Sequence, residues 1–366
     1  MTSVKKNVFI FTSDLAAYIG QNIYDFVTPM ERIWKKIDPE YELILNSIKN
    51  EQNGKETILT NLKNKKTQLQ EELDTKKITN RQYTTILNKV LKEEESINKD
   101  INKLQDEFDN IHLTQKQRLE KVVGSELLNI IESKNIETEE KREKANEIIN
   151  QIPEEKRKFV QREMESFINK THGTIKEDSA IDLYEKKFQV KLDTSQVFHK
   201  NLFYTTDKYN WYIGGKMDGI YKCEVQEDNY IVEVKNRTNG FFNILRDYEK
   251  TQIQIYMYLL SYNKAKLVEK YNNKIKITDI YRNDEYITEV LDYLKIFINN
   301  FEKFLNNPKL KSEFIHSDTN NKKRTINKMY LNEIEKKREE KTIKKLKQIE
   351  TKCLINDLDT DYESDL

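Results

Sequence analysis

Between Asp38 and Lys170 the apolar positions keep a helical period. Ile58, Leu62, Leu69 and Leu73 form one run, and Val90, Ile97, Ile101, Leu104 and Phe108 a second, each close to an alternation of four and three residues. Between the runs, Thr79-Asn80-Arg81-Gln82 has the spacing of a capping box, in which a Thr hydroxyl and a Gln three residues on satisfy each other's unpaired N–H groups. The pattern predicts an antiparallel helical hairpin with arms of about 25 residues, each about 40 Å long. Further helices are expected up to Ile168. Ahead of this block, Ser13 or Thr12 is read as the cap of a helix beginning at Asp14. Thr28-Pro29 opens a second helix that turns Met30, Ile33, Trp34 and Ile37 to one face.

After Thr171 the period shortens. Ile175, Ala180, Ile181, Tyr184 and Phe188 make one amphipathic helix, and from Leu192 to Lys235 aromatic and β-branched residues alternate with polar ones, as in strands. Gln226-Glu227-Asp228-Asn229 is a turn, so residues 214–224 and 230–237 are expected to pair as a hairpin. A helix over Gln252 to Ser261, a strand over Lys274 to Tyr281 and a helix over Glu285 to Leu305 follow. The last stretch is charged: a basic helix over Lys322 to Ile349, then an acidic end with Asp357, Asp359, Asp361, Glu363 and Asp365. Such runs are read as solvated tails. The chain thus divides into residues 1–37, 38–170, 171–308 and 309–366, an α/β (α+β) core carrying a helical insertion and a charged tail.

Composition narrows the function classes mainly by exclusion. Lys and Arg (63) balance Asp and Glu (62), so any basic surface must come from local segregation. Cys223 and Cys353 are too few and too far apart for an iron–sulfur cluster, a structural zinc site or a disulfide framework. The apolar patch in MTSVKKNVFIF is too short to span a bilayer and too broken for a signal peptide. An intracellular, reducing setting without membrane attachment is expected.

The chemistry concentrates in Tyr230-Ile231-Val232-Glu233-Val234-Lys235-Asn236. Period-two alternation turns Glu233 and Lys235 to one face and Val232 and Val234 to the other. The preceding segment, Gly214-Gly215-Lys216-Met217-Asp218-Gly219, sets a carboxylate among small residues that admit a close backbone or ligand. Hairpin pairing brings Asp218 near Glu233. Two hard carboxylates and a strand carbonyl make an oxygen-rich cage suited to Mg²⁺. A cation held there would polarise a phosphodiester, with Lys235 orienting water or balancing charge. The same Glu-x-Lys pattern also occurs as an exposed salt-bridged pair.

Gly173-Thr174-Ile175-Lys176-Glu177, then GGKMDG, IVEVKNR and Gln252-Ile253-Gln254 ahead of IYMYLL, resemble in order and spacing the YqaJ viral recombinase family, relatives of the lambda-type exonuclease among the PD-(D/E)xK nucleases. Ser13-Asp14-Leu15-Ala16-Ala17, Tyr24, Pro29 and Trp34 resemble that family's opening segment. The resemblance covers residues 8–37 and about 170–305 and leaves the helical block outside the family pattern. It implies a restriction-endonuclease-like core, a mixed sheet flanked by helices. It also implies a Mg²⁺-dependent deoxyribonuclease, with Mn²⁺ as a substitute, acting as an exonuclease on DNA duplex ends or single strands in viral or phage recombination, repair or replication.

By the same resemblance Asp218, Glu233, Glu177 and the Val234 carbonyl hold the metal, Lys235 is the catalytic lysine, and Gln252 supports DNA or water. Ser13, with Lys6 in place of the family's arginine, would meet a terminal phosphate, and Arg237 and Gln254 are further candidate phosphate contacts. His172 is read as a polar neighbour at a helix start. A single-strand annealing protein and a homo-oligomer are conceivable partners. Two rival readings stand beside the exonuclease: a structure-specific endonuclease on the same core, and a non-catalytic DNA-binding scaffold whose working part is the helical block.

Overall fold

In a computed structural model the described residues are 4–223 and 228–360, with Asn110 and 347–360 described by backbone alone. The expected turn at Gln226-Glu227, the acidic residues Asp361, Glu363 and Asp365, and the side chains of Asp357, Asp359 and Cys353 lie outside this description. The chain forms two compact units, one of residues 1–37 with 179–366 and one of residues 38–178.

The first unit opens with a strand the sequence reading missed, β1 (Lys6–Phe11). Its apolar run is too short for a membrane, yet six residues alternating inward Val8 and Ile10 with outward Phe9 and Phe11 suffice for a half-buried strand. Helix α1 (Thr12–Tyr18) follows with no side-chain cap; Thr12 is the first helical residue and is buried, so neither Thr12 nor Ser13 caps a helix starting at Asp14. Helix α2 (Val27–Ile37) buries Met30, Ile33, Trp34 and Ile37, as their spacing required.

The second unit is all helical. Helices α3 (Glu40–Asp74) and α4 (Asn80–His112) exceed the expected arm length, and α3 alone is about 50 Å long. Gln52 meets Gln105, Lys55 meets Asp100 and Lys66 meets Glu94, so partner numbers fall on one arm as they rise on the other. That is an antiparallel hairpin. The capping box at Thr79 and Gln82 is present with both hydrogen bonds, while Leu62, Leu69 and Val90 form a narrow apolar seam. Helices α5 (Gln115–Val123), α6 (Ser125–Glu132), α7 (Thr138–Ile149) and α8 (Glu154–Phe188) enclose a separate core of Leu119, Leu128, Ile131, Ile149, Met164 and Ile168. Helix α8 runs unbroken through His172 and Gly173, where the sequence reading began a new helix; its residues from Ser179 onward belong to the first unit.

Two mixed sheets complete the first unit. β2 (His199–Thr205) and β3 (Tyr209–Gly215) join β1 in the order β1-β3-β2, with β1 parallel and β2 antiparallel to β3. β4 (Gly219–Tyr221), β5 (Tyr230–Asn236), β6 (Lys264–Tyr271) and β7 (Lys274–Tyr281) form the second sheet in that order; β5 and β6 are parallel through the crossover helix α9 (Asp247–Leu260). The expected hairpin therefore holds only for Gly219–Tyr221 against β5. Gly214 and Gly215 belong to the other sheet, and the chain changes sheets across Lys216, Met217 and Asp218.

Helix α10 (Asp284–Leu305) sets Ile287, Val290, Leu294, Phe297, Phe301 and Phe304 at helical spacing into the core. The charged C-terminal stretch is not a solvated tail throughout. Helices α11 (Pro308–Ile315), α12 (Thr319–Ile326), a π-helical turn (Asn327–Leu331) and α13 (Asn332–Thr360) follow, and Phe314, Ile315, Ile326, Tyr330 and Ile334 are fully buried. Sparse apolar residues among many lysines were enough to dock these elements. Among the described residues no helix is long and apolar enough to cross a membrane.

Candidate active site

β5 is covered on both faces, which is why it reads as a nearly continuous apolar run. One face gives Val232 and Val234 to a cluster with Ala180, Ile181 and Tyr184 of α8. Glu233 and Lys235 share the other, as period two demands. Glu233 is only 2% exposed, and Lys235 donates from Nζ to its Oε1 at 2.6 Å.

β4 is so short that its ladder stops at the pairing of Gly219 with Val232. Asp218 takes over where the ladder ends: its Oδ2 accepts the Val234 N–H at 2.7 Å. A side-chain carboxylate thus replaces a backbone carbonyl and is fixed beside Glu233.

Helix α9 closes this face. Lys235 Nζ lies 3.4 Å from Gln252 Oε1, Gln252 Nε2 donates to the Tyr256 hydroxyl at 3.0 Å, and that hydroxyl donates to the Lys216 carbonyl at 2.8 Å. From sequence Tyr256 reads, with Tyr248 and Tyr258, as a base-stacking candidate for which core packing is the safer reading; it is buried, and its hydrogen-bonding role one turn after Gln252 is what the sequence reading lacked. It ties the helix to the segment that carries Asp218. Gly215 is required here, since a Cβ would come within 2.8 Å of the Tyr256 ring.

Burial sets the electrostatics. Desolvation, reinforced by the Asp218 charge and partly relieved by Lys235, pushes the Glu233 carboxyl up to about 7. Burial alone would lower the Lys235 ammonium, but the Glu233 and Asp218 charges outweigh it and hold it above its ordinary value. Glu233 Oε2 is buried with no hydrogen-bond partner. A lone pair left unsatisfied in a dry site costs of order 1–3 kcal/mol, and a cation beside two carboxylates would remove that penalty. The donor set thus fits a hard divalent ion. Among the described residues no three His, Cys, Asp or Glu side chains cluster into a ready-made cage. The assembled site holds two carboxylates; Glu177 lies on α8 within the helical unit.

Residues 115–263 match the YqaJ-like viral recombinase domain. The match begins at α5, so α5 to α8 lie inside it, and only the part of the helical block before Gln115, including the α3–α4 hairpin, lies outside. Asp218, Glu233, Lys235 and Gln252 all fall inside the matched residues. Among curated proteins no sequence matches. Similar solved structures include an alkaline exonuclease from Laribacter hongkongensis, 15% identical with a TM-score of 0.32, covering 51% of this chain and 92% of that one. Another is an exonuclease structure in complex with dAMP, 17% identical with a TM-score of 0.30, covering 51% and 91%. A phage-related exonuclease from Haemophilus somnus 129PT is 16% identical with a TM-score of 0.29, covering 40% and 73%.

The remaining candidates fall apart from the pair. The Arg237 guanidinium is spent on Glu249 at 2.7 Å and Glu269 at 2.8 Å, with Phe242 stacked on it, so it braces α9 and β6 rather than offering its fork to phosphate. Gln254 is likewise consumed, donating to the Tyr281 carbonyl and accepting from the Asn283 N–H. Ser13 is exposed in the first turn of α1. Lys6 starts β1, about 16 Å of strand from its far end at Phe11, so the two do not meet one phosphate. His172 Nδ1 pairs with Thr138 Oγ1 inside the helical unit.

Proposed function

We propose that the protein is a Mg²⁺-dependent deoxyribonuclease, an exonuclease acting on duplex DNA ends in recombination. One observation carries this reading: Asp218 and Glu233 are held side by side on the backbone of β5, with Lys235 on the same face and one Glu233 oxygen buried and unbonded. The match to the YqaJ-like domain supports it. Glu177 is proposed as an additional acidic group and Ser13 as a contact for a terminal phosphate.

Asp218, Glu233 and the Val234 carbonyl would hold Mg²⁺, with Mn²⁺ as a substitute. The ion supplies positive charge that withdraws electrons from the scissile phosphodiester. The chain's own groups do the rest. Asp218 stays anchored to the Val234 N–H, which fixes the distance between the carboxylates. Lys235 keeps its proton at neutral pH and sits where it orients the attacking water and offsets the charge that builds on phosphorus. Water would attack phosphorus and release a proton to solvent as the new P–O bond forms, the ester P–O bond would break, and the departing oxygen would take a proton from solvent. Gln252 and Tyr256 position Lys235 and the Asp218 segment.

The test is digestion of linear duplex DNA labelled at its 5′ or 3′ end, with Mg²⁺, with EDTA, and with Lys235→Ala. The expected outcome is metal-dependent loss of label that falls at least a hundredfold in the variant, since displaced charge stabilisation of this kind is worth about 3 kcal/mol. No digestion of any DNA by the parent would overturn the enzyme reading in favour of a DNA-binding scaffold. Cleavage of closed circular DNA would favour the endonuclease.

A further inference from the structure

We propose that the outer face of the three-stranded sheet is a second nucleic-acid site, one that takes single-stranded DNA. The inference goes beyond the nuclease reading and does not rest on it.

Alternation along β1 puts Val8 and Ile10 in the core and turns Phe9 and Phe11 out. The parallel register sets Phe9 opposite Tyr212 on β3, and the two rings stack at 5.3 Å. Phe198 meets Phe9 and Phe11 edge-on at 6.4 and 6.0 Å. It lies against the sheet because Gly214 has no side chain: a Cβ there would come within 2.7 Å of its ring. Phe9, Phe11 and Phe198 line a cavity of about 430 Å³ open to solvent.

Two exposed lysines stand over the rings. The Lys36 ammonium is 5.0 Å from the Phe11 centroid, and that of Lys200 is 5.2 Å from Phe9 and 5.6 Å from Tyr212. Neither has a carboxylate partner among the described residues, and no Asp or Glu lines the cavity.

An apolar groove awaiting a protein is depleted of lysine at its centre. Here the ammonium groups are central and unneutralised. Aromatic faces interleaved with cations are what a single strand requires, because every base has a π-face to stack and every linkage an anion to pair. In a duplex the bases are already stacked on one another and cannot reach the rings.

Binding of a fluorescein-labelled oligo-dT to the full chain, by anisotropy in EDTA across a salt series, tests the site independently of catalysis; a gel checks that the oligonucleotide stays intact. Lys36→Ala/Lys200→Ala and Phe198→Ala are compared with the parent, and thermal melts confirm that both fold. For the lysine pair the slope of log affinity against log salt should fall by about 1.4, two single-strand phosphate contacts. For Phe198→Ala affinity should drop at least fivefold, the low end of one lost base stack. Digestion of a short duplex by both variants should match the parent. Absence of oligo-dT binding by the parent, or variants that bind with parental affinity and slope, overturns the proposal. So does a change in sedimentation of the variants with oligo-dT binding unaltered, which would make this face a contact between copies of the chain.

Discussion

Glu233 is the residue whose environment is most out of keeping with its chemistry. A carboxyl at an ordinary 4.5 in the unfolded chain is pushed up to about 7 in the fold by burial and by Asp218. Between those values the folded state binds the proton that the unfolded state has released, so stability falls as pH rises through that window and is flat above it. Without metal, the full effect is at most about 3 kcal/mol. In EDTA, the melting temperature of the parent should therefore decline from pH 5 to pH 8, and Glu233→Gln should abolish most of that decline. At pH 8, Mg²⁺ should raise the melting temperature of the parent and leave that of Glu233→Gln unchanged, because only a ligand for the folded state stabilises it by mass action. A parent melting curve indifferent to pH in EDTA would contradict the buried, metal-ready carboxylate.

At the scale of elements, β5, β6 and α9 are clamped by one cation. Arg237 at the end of β5 holds Glu249 of α9 and Glu269 of β6, whose side chains are 1% and 3% exposed. Removing the guanidinium strands two buried carboxylates, although Lys276 retains a 3.5 Å contact with Glu269. Arg237→Met should cost about 3–5 kcal/mol in urea unfolding. The triple variant Arg237→Met/Glu249→Gln/Glu269→Gln should recover much of that loss, since no uncompensated charge is left. A single variant as stable as the parent would show that the clamp is dispensable. The clamp also explains a misreading: Arg237 is near Lys235 in sequence, but its two partners come from distant segments.

For the whole molecule, the C-terminal elements complete the first unit's core. Trp34 packs edge-on against Phe304 and Phe314, and Phe297 against Tyr330. A chain ending at Asn307 loses Phe314, Ile315, Ile326, Tyr330 and Ile334, none more than 1% exposed. At about 1.5–3 kcal/mol for each buried side chain, the loss is of order 10 kcal/mol, comparable to the stability of an entire domain. That truncation should not give a cooperative thermal unfolding transition by circular dichroism; a transition like that of the full chain would restore the tail reading.

What the sequence determined by itself was local or periodic. The α3–α4 hairpin followed from heptad-like spacing and the Thr79 capping box, both settled within a few turns of helix. Glu233 and Lys235 shared a face because strand side chains alternate, whatever the strand pairs with. Asp218 could be placed beside Glu233 because few residues separate them along the chain. Tertiary structure decided what depends on partners remote in the chain. It made KNVFIF a strand by pairing it with β3 about two hundred positions away, and it split Gly214 and Gly215 from Asp218 by ending one sheet and starting another. It buried isoleucines, a tyrosine and a phenylalanine from a lysine-rich segment that looked solvated. It also chose, between two cations two residues apart, Arg237 for structure and Lys235 for the site. Charge and period are properties of a residue and its neighbours, whereas burial and pairing are supplied by whatever the fold brings alongside.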